Sequence, residues 1–156
     1  MIIREYQEPD SAALRQCVVE MQEFERVIDS RLRPGASTAD QYCEHIHVRC
    51  REANGRVFVA EVEGAVVGIV AVLSRERFTE LDEPPGDYAL ITDLVVLQPF
   101  RRRGFGRQLL QRAEMFAREA GASELRIGVL AQNNVARRLY LDIAFIPHLE
   151  IFVKRW

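Results

Sequence analysis

The stretch ITDLVVLQPFRRRGFGRQLL, residues 91–110, decides the fold of this chain. Its first seven residues are mostly apolar and β-branched, which predicts the end of a buried strand over residues 88–97. From Leu109 onward the apolar residues recur with a period of 3.6 and continue to Ala120, which predicts an amphipathic helix with Gly121 as its C-cap. A tight turn therefore joins a buried strand to the start of a strong helix.

The turn itself, Arg101 to Gly106, is rich in arginine and glycine. Free backbone N–H groups and the helix dipole favour an anion at the start of a helix, and glycines allow the backbone to approach phosphate oxygens. A dinucleotide fingerprint would need its third glycine where Leu109 stands, and a Walker A loop would need lysine followed by serine or threonine. The sequence predicts a phosphate site of another kind.

The remaining chain divides into further short elements. The first half predicts a strand, two amphipathic helices and a hairpin, whereas the second half alternates strands and helices. These patterns predict a mixed α/β sheet with helices on both faces. The further predicted elements are strands over 1–6, 57–62, 65–73, 125–130 and within 145–156, helices following Pro9 and around residues 42–53, and a short helix over 136–143.

Composition limits the classes of function. A chain of 156 residues with 48% hydrophobic and 28% charged residues is expected to form one domain over residues 1–156. A net charge of -2 provides no general attraction for nucleic acid. The longest apolar run, residues 65–73, is too short to span a membrane, and the N-terminus lacks a secretory pattern. We expect a cytoplasmic protein with reduced cysteines and with neither nucleic-acid nor membrane partners.

Two motifs together resemble those of the GNAT N-acetyltransferases. The first is R-x-x-G-x-G directly after a buried strand, here Arg101 to Gly106. The second, AQNNVARRLYLDIAF over residues 131–145, is similar to the family's N-x-x-A-x-x-L-Y-x-x-x-G-F. The specific resemblance covers residues 88–145. The sequence departs from the family pattern at two positions. The family's usual proline comes one position later here, at Pro99, and Ala144 replaces the usual glycine.

The resemblance implies an α/β fold with a mixed, mostly antiparallel central sheet of six or seven strands flanked by four helices. It also implies acetyl-coenzyme A as cosubstrate. Backbone groups of Leu94 and Val96 would pair with its pantetheine arm as an added strand does, and Asn133 would either contact the cofactor or cap the following helix. The implied pyrophosphate site consists of the amides of Arg101, Arg103, Gly104 and Gly106. Phe105 lies between the two glycines of this site, and Arg102 is expected to be its most solvent-exposed residue.

The resemblance also implies catalytic roles. Tyr140 matches the tyrosine that protonates the departing thiolate in many members, although it also lies on an apolar helical stripe and would then be a core residue. The usual strand glutamate is missing, since the inward positions are Leu90, Thr92 and Leu94. Asp93 is the nearest candidate base, but simple alternation directs it to the other face unless a β-bulge intervenes.

The expected function is direct N-acetyl transfer from acetyl-coenzyme A to an amine. The acceptor would be a small-molecule or protein amine, and the resemblance suggests a homodimer. Acidic residues would border the acceptor cleft, unless they are merely solvated: they are Glu20, Glu23, Glu25, Asp29, Glu80, Asp82, Glu83 and Asp87. The missing glutamate favours an alternative, a non-catalytic module that binds acyl-coenzyme A. Cys43, His47 and Cys50 share a helical face, but buried cysteines explain that spacing better than a metal site.

Overall fold

A five-stranded mixed sheet forms the centre of the computed structural model, which describes residues 1–79 and 81–156. Strands β1 to β4 pair antiparallel in chain order, and β5 joins β4 in parallel. The mixed, mostly antiparallel sheet is confirmed, but the expected six or seven strands are wrong for the described residues. The strands are Ile2–Glu5, Arg56–Val62, Ala65–Arg77, Asp87–Val96 and Leu125–Ile127.

Four α-helices flank this sheet in the described part of the chain, as expected. Helices α1 and α2 cover one face through Leu14, Val18 and Ile46, whereas α3 covers the other through Leu109 and Leu110. No helix among the described residues is both long and apolar enough to cross a bilayer. The helices are Ser11–Ile28, Gly35–Glu52, Phe105–Glu119 and Asn134–Asp142.

A bulge in β4 changes the face on which its side chains lie. Ala71 of β3 is opposite Asp93, but the next β3 residue, Val72, is opposite Ile91, so one residue of β4 is extra. Ile91 consequently belongs to the core under α3, whereas Val95 belongs to the core under α1 and α2. In a regular strand these two residues would share a face. The bulge therefore directs Asp93 toward α1 and α2.

Strands β4 and β5 separate soon after they meet. Their register extends only from Ala89 to Ile91 on β4, whereas β4 continues to pair with β3 as far as Val96. Beyond Ile91 one edge of β4 therefore has no strand partner among the described residues. The predicted strand over 125–130 is shorter than expected for this reason, since only Leu125–Ile127 pairs.

The segment after α4 contradicts the expectation of closing strands. Residues 146–156 adopt neither helix nor strand. A strand requires hydrogen bonds with a neighbouring strand, and this segment pairs with no strand in the described part of the chain. The strand-like sequence at this end of the chain is therefore left unpaired.

Replacing Ala144 with glycine is expected to stabilise the fold. Ala144 has φ +69°, and it ends α4 by donating its N–H to Leu141 O at 3.1 Å. A left-handed conformation costs an L-residue about 1–2 kcal/mol, whereas glycine adopts it freely. After the entropy that glycine loses on folding, we expect a gain of roughly 0.5–1 kcal/mol in the free energy of unfolding, measured in urea. No gain would show that Ala144 is unstrained.

Candidate active site

The turn before α3 has the geometry of an open helix N-terminus. Gly104 immediately precedes the helix with φ +83°, and Arg102 is also left-handed at φ +60°. No side chain caps the first turn of α3. The first backbone N–H groups of a helix have no intrahelical acceptor, so those at the start of α3 are available to an anion. A Cβ at Gly106 would lie 3.3 Å from Leu139 Cδ2, so α4 packs directly against this turn.

The three arginines of the turn differ in their contacts. Arg101 donates from Nε to Val96 O at 2.8 Å and from Nη2 to Glu20 Oε1 at 2.7 Å, and it thereby ties the turn to β4 and α1. The Arg103 guanidinium lies over the Phe100 ring at 5.5 Å. Neither Arg102 nor Arg103 forms an ion pair within the described chain. Their cationic groups are therefore more available to phosphate than that of Arg101.

The open edge of β4 leads from this turn toward the bulge. Leu97 donates its N–H to Val67 O of β3 at 2.9 Å. Because alternate residues of a strand direct their main-chain groups to opposite edges, those of Leu94 and Val96 point away from β3. Their side chains pack on the α3 side of the sheet. The backbone of both residues thus lies at the edge where β5 has separated.

Asp93 lies buried at the other end of this edge, with 4% of its surface exposed. Tyr42 of α2 donates its hydroxyl to Asp93 Oδ1 at 2.8 Å. Burial raises the pKa of Asp93, although hydrogen bonds from Thr92 and Tyr42 oppose that effect. The pKa of Tyr42 is raised as well, first by burial and then by the charge of Asp93. Asp93 therefore lies on the face opposite the side chains of Leu94 and Val96, as alternation predicts, and the bulge separates it from the face of Ile91.

Glu25 is the acidic residue of the first helix whose side chain forms no ion pair in the described structure. Burial raises its pKa, and the neighbouring charge of Asp93 raises it further. Glu80 lies outside the described residues. Most of the other acidic residues form ion pairs with arginine. Fewer unpaired carboxylates are therefore available to border the predicted acceptor cleft than the sequence indicated. The pairs are Glu20 with Arg101, Glu23 with Arg26, Asp29 with Arg31, Glu83 with Arg126 and Asp87 with Arg75.

Tyr140 of α4 is half-buried in the core on the α3 side, 5.9 Å from the Phe145 ring between centroids. Burial raises its pKa to about 12, and the charge of Glu25 adds to the shift. Glu25 therefore lies close enough to interact electrostatically with both Asp93 and Tyr140. Asn133 caps α4, since its side-chain oxygen accepts from Ala136 N at 3.1 Å.

The cysteine-containing face of α2 is only partly exposed. Cys43 and Cys50 are free thiols at intermediate exposure, and the His47 ring lies 5.0 Å from that of Tyr6. Burial raises the pKa of Cys50 to about 11, which favours the neutral thiol. Among the described residues, no group of three or more His, Cys, Asp or Glu side chains is arranged to hold a metal ion.

The residues of this site lie within a region that matches a known protein family. The model of the acetyltransferase (GNAT) family matches residues 18–145. The chain belongs to this family. An N-alpha-acetyltransferase of Sulfurisphaera tokodaii is 31% identical over 107 residues, which are 67% of this chain and 62% of that protein. The uncharacterized N-acetyltransferase YycN of Bacillus subtilis is 35% identical over 63 residues, 40% of each chain. This GNAT chain thus covers less than two-thirds of either relative.

Solved structures share the fold over the whole chain. A tetramutant of protein BH1408 from Bacillus halodurans superimposes with a TM-score of 0.87 at 16% identity, covering 100% of both chains. The aminoglycoside N-acetyltransferase AAC(6')-Iy, in complex with a bisubstrate analogue of coenzyme A and acetylneamine, has a TM-score of 0.70 at 15% identity, covering 99% of this chain and 97% of that one. Identities this low establish the GNAT fold and nothing finer.

Sequence patterns missed Tyr42 and the specific contacts of Glu20 and Glu25. The sequence predicts only a helix around residues 42–53 at this position, because no local signal reveals the hydrogen bond from Tyr42 to Asp93. Glu20 and Glu25 were grouped with other acidic residues. Their separate surroundings depend on Arg101 and Asp93, which are distant in sequence.

Proposed function

We propose that this chain transfers an acetyl group from acetyl-coenzyme A directly to an amine acceptor. One arrangement supports the proposal above all others. The candidate base Asp93, the open backbone edge at Leu94 and Val96, and the anion site at Arg101 to Gly106 follow one another along a single strand and turn. That order matches the order of the parts of the donor molecule, from the thioester through pantetheine to pyrophosphate.

The donor would bind mainly through backbone groups. The amides of Arg103, Gly104, Phe105 and Gly106 would receive the pyrophosphate at the start of α3, with Arg102 and Arg103 adding charge. The amide of Arg101, which was also expected to contribute, already donates to Gln98 O at 3.3 Å. Pantetheine amides would pair with the open edge of β4. Arg101 already donates to Val96 O, but a carbonyl oxygen has two lone pairs and can accept a second hydrogen bond. The Asn133 side chain, which caps α4, would lie at the border of this channel.

The acceptor amine must lose a proton before it attacks. An ammonium group has a pKa near 10.4, and the raised pKa of Asp93 brings the two groups closer in proton affinity. Asp93 would take the proton directly or through a water. The uncharged amine then attacks the thioester carbonyl, and the carbon–sulfur bond breaks as the amide forms. The second proton of the attacking nitrogen leaves to water, which in turn restores the proton that the thiolate takes from its donor. Asp93 and Glu25 would also attract a cationic acceptor.

The departing thiolate must gain a proton in return. Tyr140, with a pKa raised to about 12, is fully protonated at neutral pH, as a proton donor has to be. Its helix contacts the phosphate turn through Leu139 and Gly106, which would bring the phenol to the donor channel. No covalent intermediate with the protein is required. The alternative, a non-catalytic acyl-coenzyme A module, is favoured by the missing strand glutamate, whose role is here proposed for Asp93.

Replacing Tyr140 with phenylalanine is expected to lower kcat by roughly 100-fold with little change in the KM for acetyl-coenzyme A. Release of the coenzyme A thiol would be measured with two acceptor classes, neamine and a peptide with a free N-terminal amine. Tyr88→Phe makes the same chemical change on β4, beside Phe78, and should leave kcat unchanged. An unchanged kcat for Tyr140→Phe would remove the acid role. Binding of acetyl-coenzyme A without turnover of any amine would favour the non-catalytic module.

A further inference from the structure

Asp93 is a buried carboxylate that forms no ion pair within the described part of the chain. Arg49 of α2, whose charge lowers the pKa of Asp93, instead donates to Glu76 Oε1 at 3.1 Å. A buried charge without an ionic partner is costly, and hydrogen bonds to the charged form offset that cost. The groups that donate to Asp93 therefore decide how readily it stays ionised.

Tyr42 is one of these donors, and it lies on the buried face of α2. Ala39 precedes it by three residues and Ile46 follows it by four, which places all three on one helical face. Both neighbours are fully buried in the core between α2 and the sheet. From this face the Tyr42 hydroxyl donates to Asp93 Oδ1 at 2.8 Å. The packing of a helix, and not a loop, thus fixes the position of the donor.

The Tyr42 hydroxyl keeps its proton and so remains a donor. Its pKa is raised, first by burial and then by the charge of Asp93. A hydrogen bond to a carboxylate favours the charged form, and both Thr92 and Tyr42 oppose in this way the effect of burial on Asp93. A carboxylate has about four lone-pair sites, so two hydrogen bonds leave it able to accept a further proton donor.

The other titratable groups that act on Asp93 come from α1 and α2, while β3 places the apolar Ala71 opposite it. The charge of Glu25 opposes ionisation of Asp93, and those of two basic residues favour it. Burial favours the neutral form of both thiols. Of the described residues on these two helices, Tyr42 is the one that donates a hydrogen bond to the carboxylate. The groups on α2 are Cys43, His45, Arg49 and Cys50.

We propose that Tyr42 is a positioning residue for acetyl transfer, whose hydroxyl holds the Asp93 carboxylate ready to take the proton of the acceptor amine. This role rests on the proposed function, because the base that it serves belongs to that reaction. Tyr42 keeps its own proton throughout, and the proton of the amine passes to Asp93. Without the hydroxyl, burial would favour the neutral carboxyl, which cannot act as a base.

The pH profile of kcat/KM for the acceptor tests this role in the full chain, with neamine and a peptide with a free N-terminal amine as acceptors. Tyr42→Phe should move the acid limb of the profile to higher pH and lower the rate on that limb by at least about tenfold. At higher pH, where Asp93 is ionised in both proteins, the rate should approach that of the wild type. Ionisation of the acceptor is the same for both proteins, so the difference belongs to the enzyme.

Two further variants separate this role from a contribution to folding. Adding Tyr42→Phe to Asp93→Asn should leave kcat/KM at the value of Asp93→Asn, since no base remains to be held. Tyr6→Phe is the matched control, because Tyr6 packs against the same core and its ring lies 5.0 Å from that of His47 on α2. Its pH profile should match that of the wild type. Thermal melts verify that each variant is folded.

Three outcomes would overturn the role of Tyr42. They are an unshifted profile for Tyr42→Phe, a loss of rate that is equal at every pH, and a further loss in the Asp93→Asn background. A wild type that turns over neither acceptor would instead contradict the proposed function. The carbon-13 NMR titration of the Asp93 carboxyl, assigned by its absence from Asp93→Asn, is independent of turnover. Its midpoint should be higher in Tyr42→Phe, and equal midpoints would show that Tyr42 does not hold the carboxylate.

Discussion

Replacing Asp93 with asparagine is expected to lower kcat/KM for the acceptor amine by about 10²–10⁴-fold, the usual contribution of a general base. The side chains are nearly the same size, and asparagine can still accept the hydrogen bond from Tyr42. The change therefore removes the proton acceptor and leaves the packing in place. Acetyl-coenzyme A should bind the variant as it binds the wild type, since its proposed contacts begin at Leu94. Steady-state kinetics and calorimetric titration together measure both effects.

The same substitution is expected to raise stability at neutral pH. The folded-state pKa of Asp93 is raised by burial, so the folded protein favours the neutral carboxyl. That favourable contribution is fully present below the unfolded-state pKa of about 3.9 and is lost as the pH rises through the folded-state pKa. Asparagine stays neutral throughout. Thermal melts should therefore show a higher midpoint for Asp93→Asn near pH 7 and a smaller difference near pH 4.

The pH dependence of the wild-type rate and a control variant on the same strand both test Asp93 as the base. A base must be ionised, so the wild-type rate should rise with pH through the raised pKa of Asp93. Asp87→Asn makes the same change at the other end of β4, where Asp87 is paired with Arg75, and should leave kcat/KM unchanged. A variant Asp93→Asn with wild-type kinetics would exclude Asp93 as the base. Glu25, whose charge interacts with that of Asp93, would then be the next candidate for the base.

Local patterns predicted those parts of the fold that neighbouring residues determine. The β2–β3 hairpin, α3 and the turn from Arg101 to Gly106 each depend on residues within about one element, and each lies where the sequence predicts it. The start of α2 at Gly35 was missed because it depends on a close approach between the backbones of α1 and α2. A Cβ there would lie 2.8 Å from Val19 O of α1. Only packing between the helices reveals that requirement.

The candidate site was less predictable because its chemistry depends on distant partners. The bulge beside Asp93 is set by the register of β4 on β3, which alternation within β4 cannot reveal. Glu20 is neutralised by Arg101, 81 residues away. Residues 146–156 fit a strand in sequence, yet they pair with no strand in the described part of the chain. Sequence spacing therefore identified the residue types, while their orientation and charge state came from tertiary contacts.

Replacing Gly104 with glutamate is expected to abolish binding of acetyl-coenzyme A. The new carboxylate would stand at the start of α3, where the pyrophosphate is proposed to bind, and a left-handed φ of +83° would be imposed on a residue with a Cβ. Like-charge repulsion and the altered turn together should weaken binding by at least about 100-fold. Calorimetric titration of acetyl-coenzyme A measures the loss directly.

Gly121 offers a matched control at the other end of the same helix. It has φ +80°, and, as at Gly104, an added Cβ would meet nothing within 4 Å. Gly121→Glu therefore imposes the same backbone strain and the same charge, but about 20 Å or more from the turn by the rise of α3. Binding retained by Gly121→Glu and lost by Gly104→Glu would assign the effect to the phosphate turn. Equal losses in both variants would attribute it to destabilised folding, and undiminished binding by Gly104→Glu would remove the pyrophosphate from the start of α3.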